Sequence, residues 1–438
     1  MYIVFSWTRI PDGITLQRER TIRKTSKKTE TTMKKFHILW LCAFLYTYGG
    51  YAKQQLSATN EKQTVEKQIA QYPIRIPFEK GMEIEREVKL SDIAESVEYL
   101  RLETTDKGLV KFFLMSMMHR TSKYYIFAEL QNVMQFTRDG KFVRNIGRRG
   151  QGPGEYNYIQ QIDVDEKAGK VYVLSTDKRF NVYDLETGEF LQSGKLTHGQ
   201  PRSFLMQNDS TMIAYKTNNN GQVKTLAYRA TLSGNVLHEY PRHELFEVER
   251  GAYTFGSPHD FHFSRFHGMV NLKEYENDTV YTVTPEGLKK RYIIDTGKYG
   301  IKLEHTYPAL NGNEEAFNRL AAENMRYAVL ETEYYLFLPY THWAGPKKNQ
   351  AKMAMYDKRT GECYRLKNNL IEDDLTNGLY VNFPHRAFDE HTLVLVFNAA
   401  DIHLVAERNP DLDLLNHPQL KGLDEEDNPV LMIVHLKR

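Results

Sequence analysis

The sequence predicts an all-β protein, a six-bladed β-propeller that is closed between its N- and C-terminal strands and carries small helical insertions. Three observations predict this fold class: apolar runs typical of strands recur along the chain, turn glycines recur between them, and helical periodicity is scarce. A repeat of roughly 45 residues built from short strands is typical of a propeller blade, whereas helical solenoid repeats of similar length show a 3.6-residue pattern.

One apolar run marks a strand in each predicted blade. The six runs begin at Tyr124, Val171, Met212, Gly268, Tyr334 and Leu393. Each of the first five is followed by an alternating hairpin that turns at a glycine, because glycine adopts positive φ without steric cost. The turn glycines are Gly140, Gly188, Gly234, Gly287 and Gly361, spaced by 48, 46, 53 and 74 residues. Each repeat therefore reads as one antiparallel sheet with one buried face per strand.

The sixth unit lacks this hairpin and ends with the strand Val430–Leu436. A blade that is one strand short exposes a sheet edge, which natural proteins avoid. The alternating segment Ser96–Thr104 precedes the first complete unit and can supply the missing strand. We therefore predict a velcro closure between these two segments, with the propeller spanning residues 96–438 after an N-terminal linker at 53–95.

Two stretches interrupt the strand pattern. "NEEAFNRLAAEN" begins with Asn313, a residue that caps helix N-termini, and continues with helical apolar spacing. The second exception to the scarcity of helical pattern is "NPDLDLLNHPQLKGLDEEDNP", which precedes the last strand. Both are predicted to be insertions packed on the propeller surface.

Residues 1–52 differ from the rest of the chain and predict a leader with a secretory signal peptide. Two lysines follow Met33, an apolar run extends from Phe36 to about Tyr48, and small residues lead to Ala52. The run is shorter than the ~20 residues that a membrane-spanning helix needs. We expect cleavage after Ala52 and no transmembrane segment in the mature chain. Residues 1–32 are either untranslated sequence upstream of Met33 or a genuine N-terminal extension.

The leader also bears on localisation, which is predicted to be extracytoplasmic, in the periplasm or at the cell surface. Cys42 follows the bulky residues Trp40 and Leu41, where lipid attachment requires small residues. A soluble exported protein is therefore favoured over a lipid-anchored one.

Cleavage would change the charge balance and the cysteine count. Residues 1–52 hold nine of the 58 Lys and Arg and three of the 56 Asp and Glu, leaving 49 basic and 53 acidic residues, a net charge of −4. This balance excludes a nucleic-acid-binding footprint. Cys363 is the single cysteine after Ala52, so neither an internal disulfide nor a CxxC zinc site can form.

Three stretches carry a resemblance to a known family: "KLSDIAESVEYLRLET", "FTRDGKFVRNIGRRGQGPGEY" and "EEDNPVLMIVHLK". In this order they resemble the exported six-bladed β-propeller proteins of Bacteroidota, which are similar to NHL-repeat propellers. The resemblance covers about Ile74 to Arg438. It implies the fold and export, but no catalytic residues, since most members have no assigned activity. The absence of a clear lipobox departs from many members.

The glycine-rich stretch "GRRGQGPGEY" is predicted to be a joint between the first two blades. It follows the strand "KFVRNI" and precedes "IQQIDV". A phosphate-binding loop is excluded, because that motif ends in Gly-Lys-Ser/Thr and opens a helix. Arg148 and Arg149 lie in this joint, where blade links open onto the channel face. They are candidate ligand-binding residues for an anionic group, or alternatively staples that pair with neighbouring acids.

Metal binding is a second, weaker hypothesis. "SPHDFHFSRFH" contains His259, Asp260 and His262, and His-x-x-His spacing can place two imidazoles on one divalent cation. With 15 histidines in the chain, one close pair is also expected by chance. No other cofactor is indicated, and no G-x-S-x-G nucleophile motif occurs.

Two function classes remain open at this point. The favoured one is an exported, non-enzymatic module that binds a glycan, peptide or protein partner on its channel face, helped by an aromatic content of 12%. The alternative is a metal-assisted lyase or hydrolase on the same face. A propeller fold accommodates both, so the fold alone does not choose.

Overall fold

A computed structural model describes residues 72–110, 117–218, 220–247, 263–274, 277–302, 304–305, 312–347, 350–376, 379, 381, 384 and 386–438. These residues form six sheets arranged as the blades of a propeller, and the strands within each blade pair antiparallel, which confirms the predicted fold class. Within the described ranges, no helix has the length and apolar character needed to span a bilayer.

The N-terminal segment follows the outer edges of three consecutive blades before the first complete blade begins. Its elements are β1 (Ile74–Ile76), α1 (Phe78–Gly81), β2 (Glu85–Arg86), α2 (Leu90–Ile93) and β3 (Ala94–Arg101). β1 and β2 add parallel strands to the outer edges of blades 4 and 5, and β3 is the outer strand of blade 6. Residues 74–93 fall in the segment assigned above to a linker, and here they cover sheet edges.

The first three blades each contain four antiparallel strands in sequence order. Blade 1 consists of β4 (Met118–Arg120), β5 (Tyr124–Ala128), β6 (Val133–Thr137) and β7 (Phe142–Asn145). A two-stranded pair follows, made of β8 (Arg148–Arg149) and β9 (Glu155–Tyr156). Blade 2 consists of β10 (Ile159–Asp165), β11 (Lys170–Ser175), β12 (Arg179–Asp184) and β13 (Phe190–Lys195). Blade 3 consists of β14 (Ser203–Met206), β15 (Thr211–Tyr215), β16 (Thr225–Thr231) and β17 (Val236–Pro241).

The remaining blades follow the same plan with additions. Blade 4 consists of β18 (Phe263–Phe266), β19 (Met269–Lys273), β20 (Thr279–Thr284) and β21 (Gly287–Ile294). Helix α3 (Glu314–Leu320) precedes blade 5, which consists of β22 (Met325–Tyr327), β23 (Leu330–Glu331), β24 (Tyr335–His342), β25 (Lys352–Asp357) and β26 (Glu362–Leu366). Blade 6 consists of β27 (Arg386–Asp389), β28 (Thr392–Phe397) and β29 (Val430–Leu436), with α4 (Ala399–Arg408) between the last two. Single 3-10 turns occur at Gly297–Tyr299, Lys367–Asn369, Pro410–Leu412 and Leu414–Asn416.

The predicted ring closure is confirmed. β29 pairs antiparallel with β3 from Val430 opposite Arg101 to Leu436 opposite Ala94. The order β27-β28-β29-β3 completes a four-stranded blade from both ends of the propeller. The N-terminal strand begins two residues earlier than Ser96 and ends at Arg101 rather than Thr104.

Antiparallel strands give the propeller two faces with different connections. The links between blades and the turns between second and third strands lie on one face, called here the joint face. The other turns lie on the opposite face, called here the hairpin face. Four of the five glycines predicted for hairpin turns, Gly140, Gly188, Gly234 and Gly361, have φ between +73° and +86°, as those turns require. Gly287, with φ +159°, is nearly extended.

The structure of the two insertions agrees only in part with the prediction from the sequence. The Asn313 side chain caps α3 by accepting a hydrogen bond from the Ala316 N–H at 3.0 Å, as its position predicts. Phe317 packs edge-on against Trp343 with ring centroids 5.0 Å apart, whereas Leu320 is exposed. Helix α4 is not predicted from sequence, because its buried side is short: Ile402 is buried while Leu404 points to solvent.

Buried apolar residues lie within and between the blades. Cys363 belongs to the cluster between blades 4 and 5, where its Sγ would lie 2.7 Å from a Cβ added at Gly81 of α1. Burial raises the pKa of the Cys363 thiol to about 12, so it behaves as a packed apolar residue.

Candidate functional site

The stretch from 146 to 158 links the outer strand of blade 1 to the inner strand of blade 2, as the sequence predicts. Inside it, β8 pairs in parallel with β9, with Arg148 opposite Glu155 and Arg149 opposite Tyr156. The chain then enters a strand rather than a helix. The joint is therefore an ordered loop on the joint face.

Tyr156 anchors the joint in the core. Its side chain is fully buried, and its hydroxyl donates a hydrogen bond to the Ile146 carbonyl at 3.0 Å. The Val133 N–H donates to the same hydroxyl at 3.3 Å. On the blade 2 side, the Asn181 amide donates to the Glu155 carbonyl at 2.9 Å. Both adjoining blades thus hold the backbone that carries the arginines.

Gly147 is required by this arrangement. Its φ is +65°, and an added Cβ would lie 2.7 Å from the Tyr183 hydroxyl and 2.8 Å from the Tyr156 ring. Gly169 in the first turn of blade 2 has nearly the same φ, +64°, with nothing within 4 Å of an added Cβ. Comparing alanine substitutions at Gly147 and Gly169 therefore separates the backbone cost of a positive φ from the cost of steric overlap inside the joint.

We expect Gly147→Ala to lower the free energy of unfolding by about 1–3 kcal/mol more than Gly169→Ala does. Both changes pay the roughly 1–2 kcal/mol cost of a left-handed alanine, but only the first also forces two buried tyrosines apart. Chemical denaturation of both variants measures the difference. Equal losses would show that the joint is loose enough to absorb a methyl group.

Arg148 projects from the joint into solvent, with 83% of its side chain exposed. Its Nε donates to Glu155 Oε1 at 2.7 Å, and the Gly152 N–H donates to Glu155 Oε2 at 2.8 Å. These two donors, the Gly152 N–H first, hold the pKa of Glu155 below its usual value. One edge of the Arg148 guanidinium is thus held in place while the group stays open to solvent.

Arg149 is positioned by different neighbours. Its guanidinium lies 5.0 Å from the centre of the Tyr158 ring, and its NH2 group donates to the Tyr158 hydroxyl at 3.3 Å. Its NH1 group donates to Gln131 at 3.3 Å, in the turn between β5 and β6. Leu130 in that turn is 49% exposed. Arginine, tyrosine and leucine thus share one exposed surface, called here the joint patch: Leu130, Gln131, Arg148, Arg149 and Tyr158.

The residues of the metal hypothesis, His259, Asp260 and His262, lie outside the described residues. Over the part of the chain that the structure describes, no group of three or more His, Cys, Asp and Glu side chains is arranged to hold a metal ion. His267, from the same sequence stretch, lies in the turn between β18 and β19. There it contacts Glu333 at 2.7 Å through Nε2.

A surface cleft of about 490 Å³ lies in the insertion of blade 6. Two aspartates, Asp411 and Asp413, line it together with Asn416, His417 and neighbouring residues. Carboxylates repel an anionic ligand, so this cleft does not suit the anionic group considered for the arginines.

The inner strands bring together a charged cluster that the sequence does not predict. The Arg265 guanidinium donates to both carboxylate oxygens of Asp163, at 3.1 and 2.9 Å, and also to the Met206 carbonyl at 2.6 Å. The Met206 N–H donates to Asp163 at 2.7 Å. Although burial raises the pKa of Asp163, Arg265 holds it below its usual value.

Two further basic side chains adjoin this ion pair. His119 Nδ1 lies 3.7 Å from Asp163, and its Nε2 lies 3.2 Å from the Ile162 carbonyl. Burial, followed by the charge of Arg386, lowers the pKa of His119 to about 3, so the imidazole is neutral at physiological pH. Burial also lowers the pKa of Arg386 to about 10, and the charge of Arg265 acts in the same direction. We call these four residues the channel cluster.

The sequence signal for the channel cluster is slight. Each member comes from a different short inner strand, and its neighbours give little indication of its role, as for Asp163 between Ile162 and Val164. Asp163 and Arg265 are 102 residues apart and meet only because the ring closes. A charged residue in the middle of a predicted inner strand is the one feature that points to them.

Together, six blades, a closing strand from each end and ordered inter-blade joints define a six-bladed β-propeller. The chain belongs to the family described as "Domain of unknown function (DUF4934)", whose model matches residues 73–435. No curated protein matches the sequence.

Two solved structures from Bacteroides are similar to this chain. A protein of Bacteroides fragilis described as exported has a TM-score of 0.69 and 19% identity, over 83% of this chain and 100% of that one. A DUF4221 family member from Bacteroides vulgatus has a TM-score of 0.47 and 11% identity, over 78% of this chain and 97% of that one. The first similarity supports the fold.

Proposed function

We propose that this protein is an exported binding module that holds a glycan, peptide or protein partner on its joint face. Arg148 and Arg149 of the joint patch would meet an anionic group of that partner, in the first instance a carboxylate. The observation that carries the proposal is that two consecutive arginines are exposed to solvent and yet lie on a backbone anchored by two blades.

The chemistry of the patch suits such a partner. A guanidinium presents several N–H donors in one plane and binds a carboxylate through two parallel hydrogen bonds. Tyr158 adds a partly exposed aromatic surface, and arginine and tyrosine are the residues that most often dominate binding energy at interfaces. An ordered joint also reduces the entropy lost on binding.

The alternative is that the two arginines only staple the joint. Arg148 does pair with Glu155, but this ion pair is exposed, and exposed pairs contribute little to stability. Tyr156, Asn181 and Gly147 already fix the joint without either arginine. A binding role explains the exposed guanidinium groups better than a stapling role does.

A lyase or hydrolase on the same face remains the second hypothesis of the sequence analysis. No observation within the described ranges favours it, since no metal-holding group occurs there. We also propose an extracytoplasmic location, which is supported by the predicted signal peptide and by similarity to a protein described as exported.

We expect R148A/R149A to weaken binding of a carboxylated ligand at least about tenfold, because one charge-assisted hydrogen bond contributes on the order of 1.5–3 kcal/mol. The ligand panel contains oligogalacturonate, poly-glutamate and a neutral glucan, and calorimetry gives each Kd. The neutral glucan should be unaffected by the substitution. Far-UV circular dichroism and chemical denaturation should show a folded variant of nearly unchanged stability.

The matched control is K123A/K141A. Both lysines lie in turns of blade 1 on the hairpin face, are more than 60% exposed and pair with a glutamate, Glu186 or Glu103. This variant removes the same charge from the same blade but leaves the joint patch intact. Equal weakening by both double variants would reveal a general charge effect. If R148A/R149A were destabilised but each folded molecule still bound the ligand as tightly as the wild type, the arginines would stabilise the joint and would not bind the ligand.

A further inference from the structure

A row of basic side chains continues from the joint patch across the joint face of blade 2. It comprises Arg148, Arg149, Lys178, Arg179 and Lys195, and it is called here the basic strip. Lys178 lies in the turn between β11 and β12, Arg179 begins β12, and Lys195 ends β13. These three positions therefore lie on the same face as the link that carries the first two arginines.

Arg179 connects the two parts of the strip. Its NH1 group donates to the Gln151 carbonyl at 3.1 Å, and its NH2 group donates to the Gly150 carbonyl at 3.4 Å, both in the link. With 23% of its side chain exposed, Arg179 is largely enclosed by such contacts. The link that carries Arg148 and Arg149 is therefore in direct contact with the first residue of β12.

Two lysines extend the strip beyond Arg179. Lys195 lies opposite Arg179 in the sheet, which places their Cβ atoms about 4.5–5.5 Å apart. The Leu196 N–H donates to the Lys178 carbonyl at 3.0 Å, so the turn and the end of β13 are also in contact. Like charges that lie opposite each other destabilise a sheet, so folding stability alone does not explain this arrangement.

Positive charge exceeds negative charge along the strip. Two carboxylates adjoin it and both are engaged, Glu155 by Arg148 and Asp177 by Arg179, each at 2.7 Å. Glu129, in the turn that carries the joint patch, is buried and adds no exposed charge. Five basic residues thus face two exposed acidic ones, although the mature chain is predicted to be net acidic.

The two lysines are the members of the strip that are open to a ligand beyond the joint patch. Lys178 and Lys195 are exposed, and neither forms an ion pair with an Asp or Glu side chain among the described residues. An exposed ammonium group without a carboxylate partner can meet an acidic group of a ligand at little desolvation cost. The strip therefore offers anion-binding positions in a row, not at a single point.

The uncharged surface between the basic groups suits a sugar chain better than a peptide. Tyr158 is 39% exposed, and the Thr176 N–H donates to its carbonyl at 2.9 Å, so Tyr158 adjoins the turn that carries Lys178. Thr176 and Gln151 are exposed as well. An aromatic ring packs against the apolar face of a sugar, and hydroxyl and amide groups pair with sugar hydroxyls. Peptides are more often held by a free strand edge or an apolar groove, and the strip consists of a link, a turn and strand ends.

We propose that the ligand of this face is an acidic oligosaccharide, a chain of uronate sugars, that runs from the joint patch along the basic strip to the end of β13. One carboxylate meets Arg148 or Arg149, and carboxylates further along the chain meet Lys178 and Lys195. This inference rests on the proposed function and adds to it the class of ligand and the direction in which the ligand lies.

The test compares oligogalacturonates of two and eight residues by calorimetry at equal ionic strength. After correction for the number of ways in which the longer chain can bind, the octamer should bind at least about tenfold more tightly, because its further carboxylates reach the lysines at high effective concentration. Equal corrected affinities would overturn the strip and leave the joint patch in place. Absence of binding at both lengths would overturn the strip and the proposed function together.

A glutamate octapeptide tests the class of ligand. It carries as many carboxylates as the octamer but lacks sugar rings to pack on Tyr158, so it should bind at least about threefold more weakly. Equal or tighter binding of the peptide would contradict the assignment to a glycan.

Variants locate the strip. K178Q/K195Q should remove most of the advantage of the octamer over the dimer, K178R/K195R should retain it, and R148A/R149A should weaken binding at both lengths. The control K123Q/K141Q, on the hairpin face, should keep the advantage of the octamer. A full advantage in K178Q/K195Q, or an equal loss in the control, would contradict the strip.

Discussion

A chain that ends at Pro429 does not fold into the propeller. The truncation removes β29, which pairs with β28 on one side and with β3 on the other. Six of its seven residues are buried and apolar. Burying each contributes about 1.5–3 kcal/mol, so the loss is comparable with the whole net stability of about 5–15 kcal/mol. Circular dichroism and proteolysis of the purified truncated protein should show loss of the native fold.

The control for this truncation removes only Arg438, an exposed residue beyond β29. It should melt like the chain that ends at Arg438. If the chain ending at Pro429 also melted cooperatively at the wild-type temperature, the closing pair would not be needed and the ring would be held together in another way.

Glu331→Ala should cost about 3–5 kcal/mol of unfolding free energy, because it leaves a buried cation without its partner. Arg291 is completely buried and donates to both oxygens of Glu331, at 3.0 and 2.7 Å. The same carboxylate accepts hydrogen bonds from the Tyr292 hydroxyl at 2.6 Å and from Lys358 at 2.8 Å. Chemical denaturation at neutral pH measures the loss.

Glu362→Ala is the matched control, since Glu362 pairs with Arg86 on the surface, where both side chains are more than 40% exposed. It should change stability by no more than about 1 kcal/mol. Equal effects of the two substitutions would show that the buried pair is not a stabilising contact between blades 4 and 5.

The Glu331 carboxylate also makes the stability of the folded protein depend on pH, and the direction of this dependence can be predicted. Burial raises the pKa of Glu331, but Lys358 and Arg291 outweigh burial and hold it below the ordinary value of 4.5. Its stabilising contribution is therefore complete above about pH 4.5 and is lost as the pH falls through the lower, folded-state pKa. In Glu331→Gln that part of the acid dependence should disappear.

Local sequence patterns suffice to predict the blades and the closure of the ring. Alternating apolar residues and turn glycines recur within each unit, and the unpaired strand at each end predicts a partner. The extra strands β1 and β2 escape prediction because they are only three and two residues long, too short for any periodicity. Their pairing depends on blade edges more than 200 residues away in sequence.

The two candidate sites also differ in how much of each can be predicted from the sequence. The joint and its two arginines are visible in the sequence because glycine spacing is a local signal. The contacts of Arg149 with Gln131 and Tyr158 are not visible, since they depend on how the turn of blade 1 meets the joint. The channel cluster depends on four inner strands converging, which no local pattern records.

The most direct test of anion recognition at the joint patch compares two forms of one ligand. The tightest carboxylated ligand of the panel and its neutral methyl ester are titrated into the wild-type protein by calorimetry. Esterification keeps the shape but removes the charge that Arg148 and Arg149 would meet, so binding should weaken at least about tenfold. Equal affinity for the acid and the ester would contradict the proposed function.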